Sequence, residues 1–123
     1  RIDICNVGGI TESMKVAGWC ESHYIDMMPH NPLGPICTAA SIHFGVSVPN
    51  FAWLETRESA AENAGFSNDE IIQSSHRMEN AMYVVSNDPG LGIEVNENYL
   101  KNSKFKQWDP PQLERNDGSV TNW

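Results

Sequence analysis

Seven residues constrain this chain more than any others: Pro29-His30-Asn31-Pro32-Leu33-Gly34-Pro35. Each proline fixes its own φ and restricts the residue before it, so the stretch is a rigid turn rather than helix or strand. A short apolar run, residues 25–28, leads in, and a small-residue run, 36–46, leads out. The first predicts a strand. The second predicts a helix with Pro35 at its first position, where the missing N–H would have had no helical partner. His30 stands at the mouth of the turn. A barrel enzyme places catalytic groups in such a position, on a scaffold-held loop after a strand.

The same alternation extends to both sides. Residues 1–5 read as the end of a strand, broken by Gly8-Gly9. Thr11 is the expected N-cap of a helix carrying Glu12 and Glu21, and Ile10, Met14, Ala17 and Cys20, with Tyr24 beyond, recur at helical spacing as its buried stripe. After the turn, Ala39, Ala40, Ile42, His43 and Val46 predict the packed face of the next helix, with His43 a core histidine. Val48-Pro49-Asn50 ends it, and residues 51–55 form a third strand closing on Glu55. Strand, helix, strand, helix, strand with short connections predicts an α/β fold of parallel strands. Three such strands cannot close a barrel, and an open sheet exposes its edges, so a partner piece is expected.

Beyond residue 56 the chain turns polar and acidic up to residue 76, with a short helix expected near 69–75. Residues 81–86 and 91–95 read as strands around an Asn87-Asp88-Pro89-Gly90 turn, and Asn96 as the cap of a helix over 97–101. Trp108, Asp109-Pro110-Pro111, Asn116-Asp117-Gly118 and Trp123 mark a loop-like tail whose tryptophans imply packing against something larger.

The net charge of -8 comes from scattered acids without a Lys/Arg stripe, which argues against nucleic acid and anionic membranes as partners. No apolar run approaches membrane-spanning length. Cys5, Cys20 and Cys37 lack C-x-x-C spacing and read as free buried thiols in a reducing cytoplasm. The start at Arg1 carries no secretory leader pattern and suggests a processed or partial chain of cytoplasmic location.

Asp3, His30 and Glu55 each fall at or near the end of a separate predicted strand, and strand ends in a barrel converge on one mouth. A histidine oriented by a carboxylate is a general base, and a second acid, if protonated, can donate a hydrogen bond to developing negative charge. The trio alone is weak. Its setting is not: Asp3 followed by Gly8-Gly9-Ile10-Thr11-Glu12, then the proline-histidine turn, then Pro49-Asn50-Phe51 leading to Glu55, resembles the C-terminal part of enolase-superfamily enzymes of the mandelate racemase type. Asp88-Pro89-Gly90-Leu91-Gly92-Ile93-Glu94-Val95-Asn96 and the closing Asp117-Gly118-Ser119-Val120-Thr121-Asn122-Trp123 are similar to the galactonate dehydratase branch.

That resemblance implies the last strands of a (β/α) barrel, roughly the end of the sixth to the eighth, over residues 1–75, with residues 76–123 joining a capping layer. It implies that His30 is the base removing the proton α to a substrate carboxylate, that Asp3 orients it and raises its basicity, and that Glu55 stabilises the enolate-like transition state. Asn31 would touch the hydroxyls of a sugar acid. It also implies Mg²⁺, held by carboxylates upstream of this chain, an N-terminal capping domain, and a homo-oligomeric intact enzyme that dehydrates an aldonate. An epimerase, racemase or cycloisomerase of the same superfamily stays open, as does a non-catalytic fragment that needs a partner barrel piece. Alone, the chain is expected to be inactive.

Overall fold

The computed structural model describes residues 1–56, 70–72, 77–105, 107 and 113–121. Asp3 ends the first extended stretch. Its Oδ1 accepts hydrogen bonds from the amides of Cys5 (2.8 Å) and Asn6 (3.2 Å) and so caps a one-turn helix, α1 (Ile4–Val7), where the sequence suggests a continuing strand. Gly8 closes that turn at φ 109°, a conformation that excludes most side chains.

Helix α2 (Ile10–Ser22) is capped by the Gly9 backbone rather than by Thr11, which lies within the helix. Its buried side is set by Ser13 and Ala17, with Val16 and Cys20 packed beside them. Ile10 and Met14 of the expected stripe are 40% and 38% exposed, and Tyr24 is fully exposed at positive φ. The physical reason is size: Ser13 and Ala17 let the helix backbone come close to its neighbours, and the Ser13 hydroxyl is satisfied by Gly9 O at 2.9 Å.

Helix α3 (Pro35–Ser47) begins on Pro35, as the turn predicts. Its inward side holds Cys37, Thr38, Ala39, Ser41, Ile42, Phe44 and Gly45. Phe44 is fully buried, whereas Val46 is exposed and His43 half-buried. Gly45 is required by contact, since a Cβ there would meet the Phe51 ring at 2.9 Å. Ile4, Ala17, Met27, Phe44 and Val48 form the core between the two helices and the extended segments.

Two of those extended segments pair in parallel, and the first is hydrogen-bonded beside them. Met27 and Phe51 form a parallel bridge, with Met27 N donating to Asn50 O (2.6 Å) and Ala52 N to Met27 O (2.9 Å). His30 N donates to Ile2 O (2.6 Å), and Glu55 N to Pro29 O (3.4 Å). The segment around residues 27–30 thus lies between the other two. Ile25 and Asp26 are exposed, so of residues 25–28 only Met27 is buried. Asn50 ties the layer together, its Nδ2 donating to Ala17 O and Ile25 O.

Further along, β1 (Met78–Glu79) and β2 (Met82–Tyr83) form an antiparallel hairpin through Asn80 and Ala81, both at positive φ. The strand expected over 81–86 is therefore confined to two residues. Residues 70–72 form a turn and a bridge, not helix, and Ile72 pairs antiparallel with Val95. Leu91 and Gly92 belong to the turn that follows Pro89, which leaves Val95 as the paired residue of the strand expected there. Asn96 caps α4 (Glu97–Asn102), its Oδ1 accepting from Tyr99 N at 3.1 Å. A second hairpin joins β3 (Leu113–Glu114) to β4 (Val120–Thr121) around Asn116-Asp117-Gly118. His76, Trp108, Asp109-Pro110-Pro111 and Trp123 lie outside the described residues, as does most of the acidic stretch after Thr56. No helix among the described residues is long and apolar enough to cross a membrane.

Candidate active site

The hydrogen bonds between these segments bring Asp3, His30 and Glu55 side by side. Asp3 Oδ2 lies 3.0 Å from His30 Nδ1, and His30 Nε2 lies 3.9 Å from Glu55 Oε2. Three residues separated by up to 52 positions in sequence are thus brought together around one imidazole.

Each carboxylate is held in a different way. Burial pushes the Asp3 carboxyl up, but the hydrogen bonds from His30 and from the Asn6 and Cys5 amides outweigh it and hold the group below its ordinary range. Asp3 is therefore an anion facing Nδ1, so Nδ1 carries the proton and Nε2 presents a lone pair. Glu55 is held below its usual range chiefly by Arg1, with help from the Asn31 amide, which donates to Oε2 at 3.2 Å. It is a carboxylate in an ion pair with Arg1. A protonated Glu55 able to donate to developing charge is not the form found here.

Asn31 is held from inside the turn. Its side chain is 0% exposed, and Nδ2 donates to Thr38 Oγ1 at 2.9 Å, joining the turn to the first turn of α3. Its contribution at the site surface is the backbone N–H on Glu55. Arg1 and Thr38 are the site residues that sequence reasoning passes over. Arg1 had a usable signal: residues two apart in an extended segment share a face, so Arg1 follows Asp3 into the site.

Mg²⁺ requires near-octahedral oxygen ligation. The described residues of the site do not supply it: they offer two carboxylates, Asp3 and Glu55, too few for an octahedral oxygen set, and Glu55 is held by Arg1 and the Asn31 amide. Among the described residues, the His/Cys/Asp/Glu cluster close enough to hold an ion is Asp3, Cys5 and Cys37, and two thiols do not suit Mg²⁺. Of the three cysteines, Cys37 is buried, Cys20 partly so, and Cys5 exposed, which corrects the expectation that all are buried. An apolar groove of about 730 Å³, lined in part by Phe51, Trp53, Met82 and Val85, includes none of Asp3, His30, Asn31 or Glu55.

Comparison with known proteins gives this constellation a context. A D-galactonate dehydratase of Cronobacter sakazakii is 30% identical over 98% of the chain, and one of Xanthomonas campestris pv. campestris is 33% identical over the same share. Each match covers 33% of the relative, so the chain spans about a third of the length of these curated relatives. Among solved structures, an enolase from Agrobacterium radiobacter, provisionally assigned as a galactarate dehydratase and bound to Na and L-malate, superposes with a TM-score of 0.78. It is 27% identical over 96% of this chain and 32% of its own. An enolase from Pantoea ananatis with bound d-gluconate and Mg has a TM-score of 0.65 at 30% identity, covering 77% of this chain and 22% of its own. The model of the enolase C-terminal domain-like family matches residues 1–99, and the chain belongs to that family.

Proposed function

We propose that these residues are the proton-abstracting part of a Mg²⁺-dependent sugar-acid dehydratase acting on an aldonate of the galactonate type. The observation that carries the reading is the ordered Asp3–His30 pair, with Nδ1 held by a carboxylate and Nε2 left to accept a proton. In this reading His30 Nε2 takes the proton α to the substrate carboxylate, and the freed electron pair moves into that carboxylate. The electrons then return to form the Cα–Cβ double bond as the β-hydroxyl leaves, protonated to water. Tautomerisation of the resulting enol gives a 2-keto-3-deoxy acid. Asp3 fixes the ring and stabilises the imidazolium that forms. Glu55 and Arg1 set the charge on the far side of Nε2, and Asn31 positions Glu55 through its amide.

Mg²⁺, its ligands and the acid for the leaving hydroxyl then belong to residues outside this chain. Residues 1–75 join that remainder as the last part of a barrel, and 76–123 as a contribution to the capping layer of a cytoplasmic homo-oligomer. The isolated chain turns nothing over. The test is product analysis on a panel of aldonic acids, with these residues joined to the rest of the barrel. A 2-keto product captured by semicarbazide supports the reading. A stereoisomer or a cyclised product refutes dehydration in favour of epimerase or cycloisomerase chemistry.

A further inference from the structure

Helices α1 and α3 bring two thiols that the proposed reaction does not use, Cys5 and Cys37, up to the Asp3 carboxylate. Cys5 Sγ, Cys37 Sγ and a carboxylate oxygen of Asp3 all lie within 4.8 Å of one another. Cys5 is exposed, Cys37 is buried and the Asp3 side chain is 9% exposed, so the cluster is walled on the inside and reachable from outside. Zn–S bonds of about 2.3 Å and Zn–O bonds of about 2.0–2.2 Å place two ligands of one tetrahedral ion about 3.5–3.8 Å apart. Closing the present span by about 1 Å is within reach of a rotamer change at the exposed Cys5.

Ser41 Oγ is fully buried beside the Cys37 thiol and favours its anionic form. Here it faces a sulfur that becomes an anion when a cation binds.

We propose that Cys5, Cys37 and Asp3 form a binding site for a thiophilic divalent cation of the Zn²⁺ class, distinct from any Mg²⁺ the dehydratase chemistry requires. Two thiolates and one carboxylate select Zn²⁺ or Co²⁺ over Mg²⁺ through ligand softness. Each thiol loses its proton to solvent as its sulfur–metal bond forms, and no group is oxidised or reduced. A carboxylate offers about four lone-pair positions. Asp3 uses two on the Cys5 and Asn6 amides and one on His30, which leaves room for the cation without unseating the imidazole. The Cys37 thiol is pushed up to about 11 by burial and by its contact with Cys5, so binding displaces a proton and tightens as pH rises.

The experiment is a Co²⁺ titration of the 123-residue chain at neutral pH, read by sulfur-to-cobalt charge-transfer absorption and followed by Zn²⁺ competition. One Co²⁺ per chain, displaced by Zn²⁺ and indifferent to excess Mg²⁺, is expected. Cys5→Ser and Cys37→Ala weaken Zn²⁺ binding by about 100-fold or more. Cys20→Ser changes it by less than about twofold, since Cys20 lies outside the cluster. Cys5→Ser alters an exposed residue, so its result stands whether or not Cys37→Ala folds. Absence of the thiolate band, its survival in Cys5→Ser, or its loss in Cys20→Ser would each overturn the proposal.

Discussion

Replacing Asp3 by Asn separates the two tasks of this side chain. Oδ1 caps α1 and Oδ2 faces His30 Nδ1 at 3.0 Å. Asn caps helices about as well as Asp, so its one oxygen keeps the Cys5 and Asn6 amides. Its NH₂ then stands where Oδ2 was and must donate to Nδ1, which drives the imidazole proton to Nε2 and removes the base. A hydrogen bond to a charged group contributes about 1.5–3 kcal/mol. The lower end applies because the His30 side chain is 40% exposed and solvent screens the pair. Losing about 1.5 kcal/mol that favours one tautomer and gaining about 1 kcal/mol for the other is a swing of roughly sixtyfold. Long-range ¹H–¹⁵N correlation of the imidazole at alkaline pH, where the ring is neutral, reads the tautomer directly. The native chain should show Nδ1–H and the Asp3→Asn chain Nε2–H. The same tautomer in both would refute the reasoning.

Other consequences follow from burial and charge. Phe44→Ala empties the centre of the core and should cost about 3–5 kcal/mol in urea unfolding, a loss that small surface changes on α3 will not reproduce. Asp3 and Glu55 both sit below their ordinary values of 3.8 and 4.5 in the folded chain. The unfolded chain therefore binds more protons, and the stability these groups contribute, complete above about pH 5, is lost as pH falls through the folded values. Urea midpoints should drop between about pH 5 and pH 3, and less steeply in Glu55→Gln; a midpoint that rises on acidification contradicts the assignment. Asn31→Ala should cost about 0.5–1.5 kcal/mol for the lost Thr38 bond, whereas Asn31→Asp buries a charge and should cost several-fold more by the same assay.

The convergence of Asp3, His30 and Glu55 was legible because prolines and glycines fix where the extended segments stop, and a stop after each segment puts the next side chain beside the others. The start of α3 at Pro35 was legible for the same local reason. What escaped reading depends on contacts between distant segments. Asp3 reads as a strand residue, yet its carboxylate captures two amides just after it and begins a helix. Ile10 and Met14 fit a helical stripe, but Ser13 and Ala17 take the inner face because close backbone approach needs small side chains. Asn31 is held inside by Thr38, seven residues on. The ionised state of Glu55 depends on Arg1, a partner 54 residues away.

The most direct measurement of the central claim is exchange of the substrate α-proton in D₂O, with these residues joined to the rest of the barrel and an aldonate as substrate. Deuterium incorporation at Cα, or dehydration in its place, should fall by about 10²–10⁴ in His30→Asn while the far-UV spectrum is unchanged. Exchange that persists at the native rate in His30→Asn would contradict the assignment of His30 as the base.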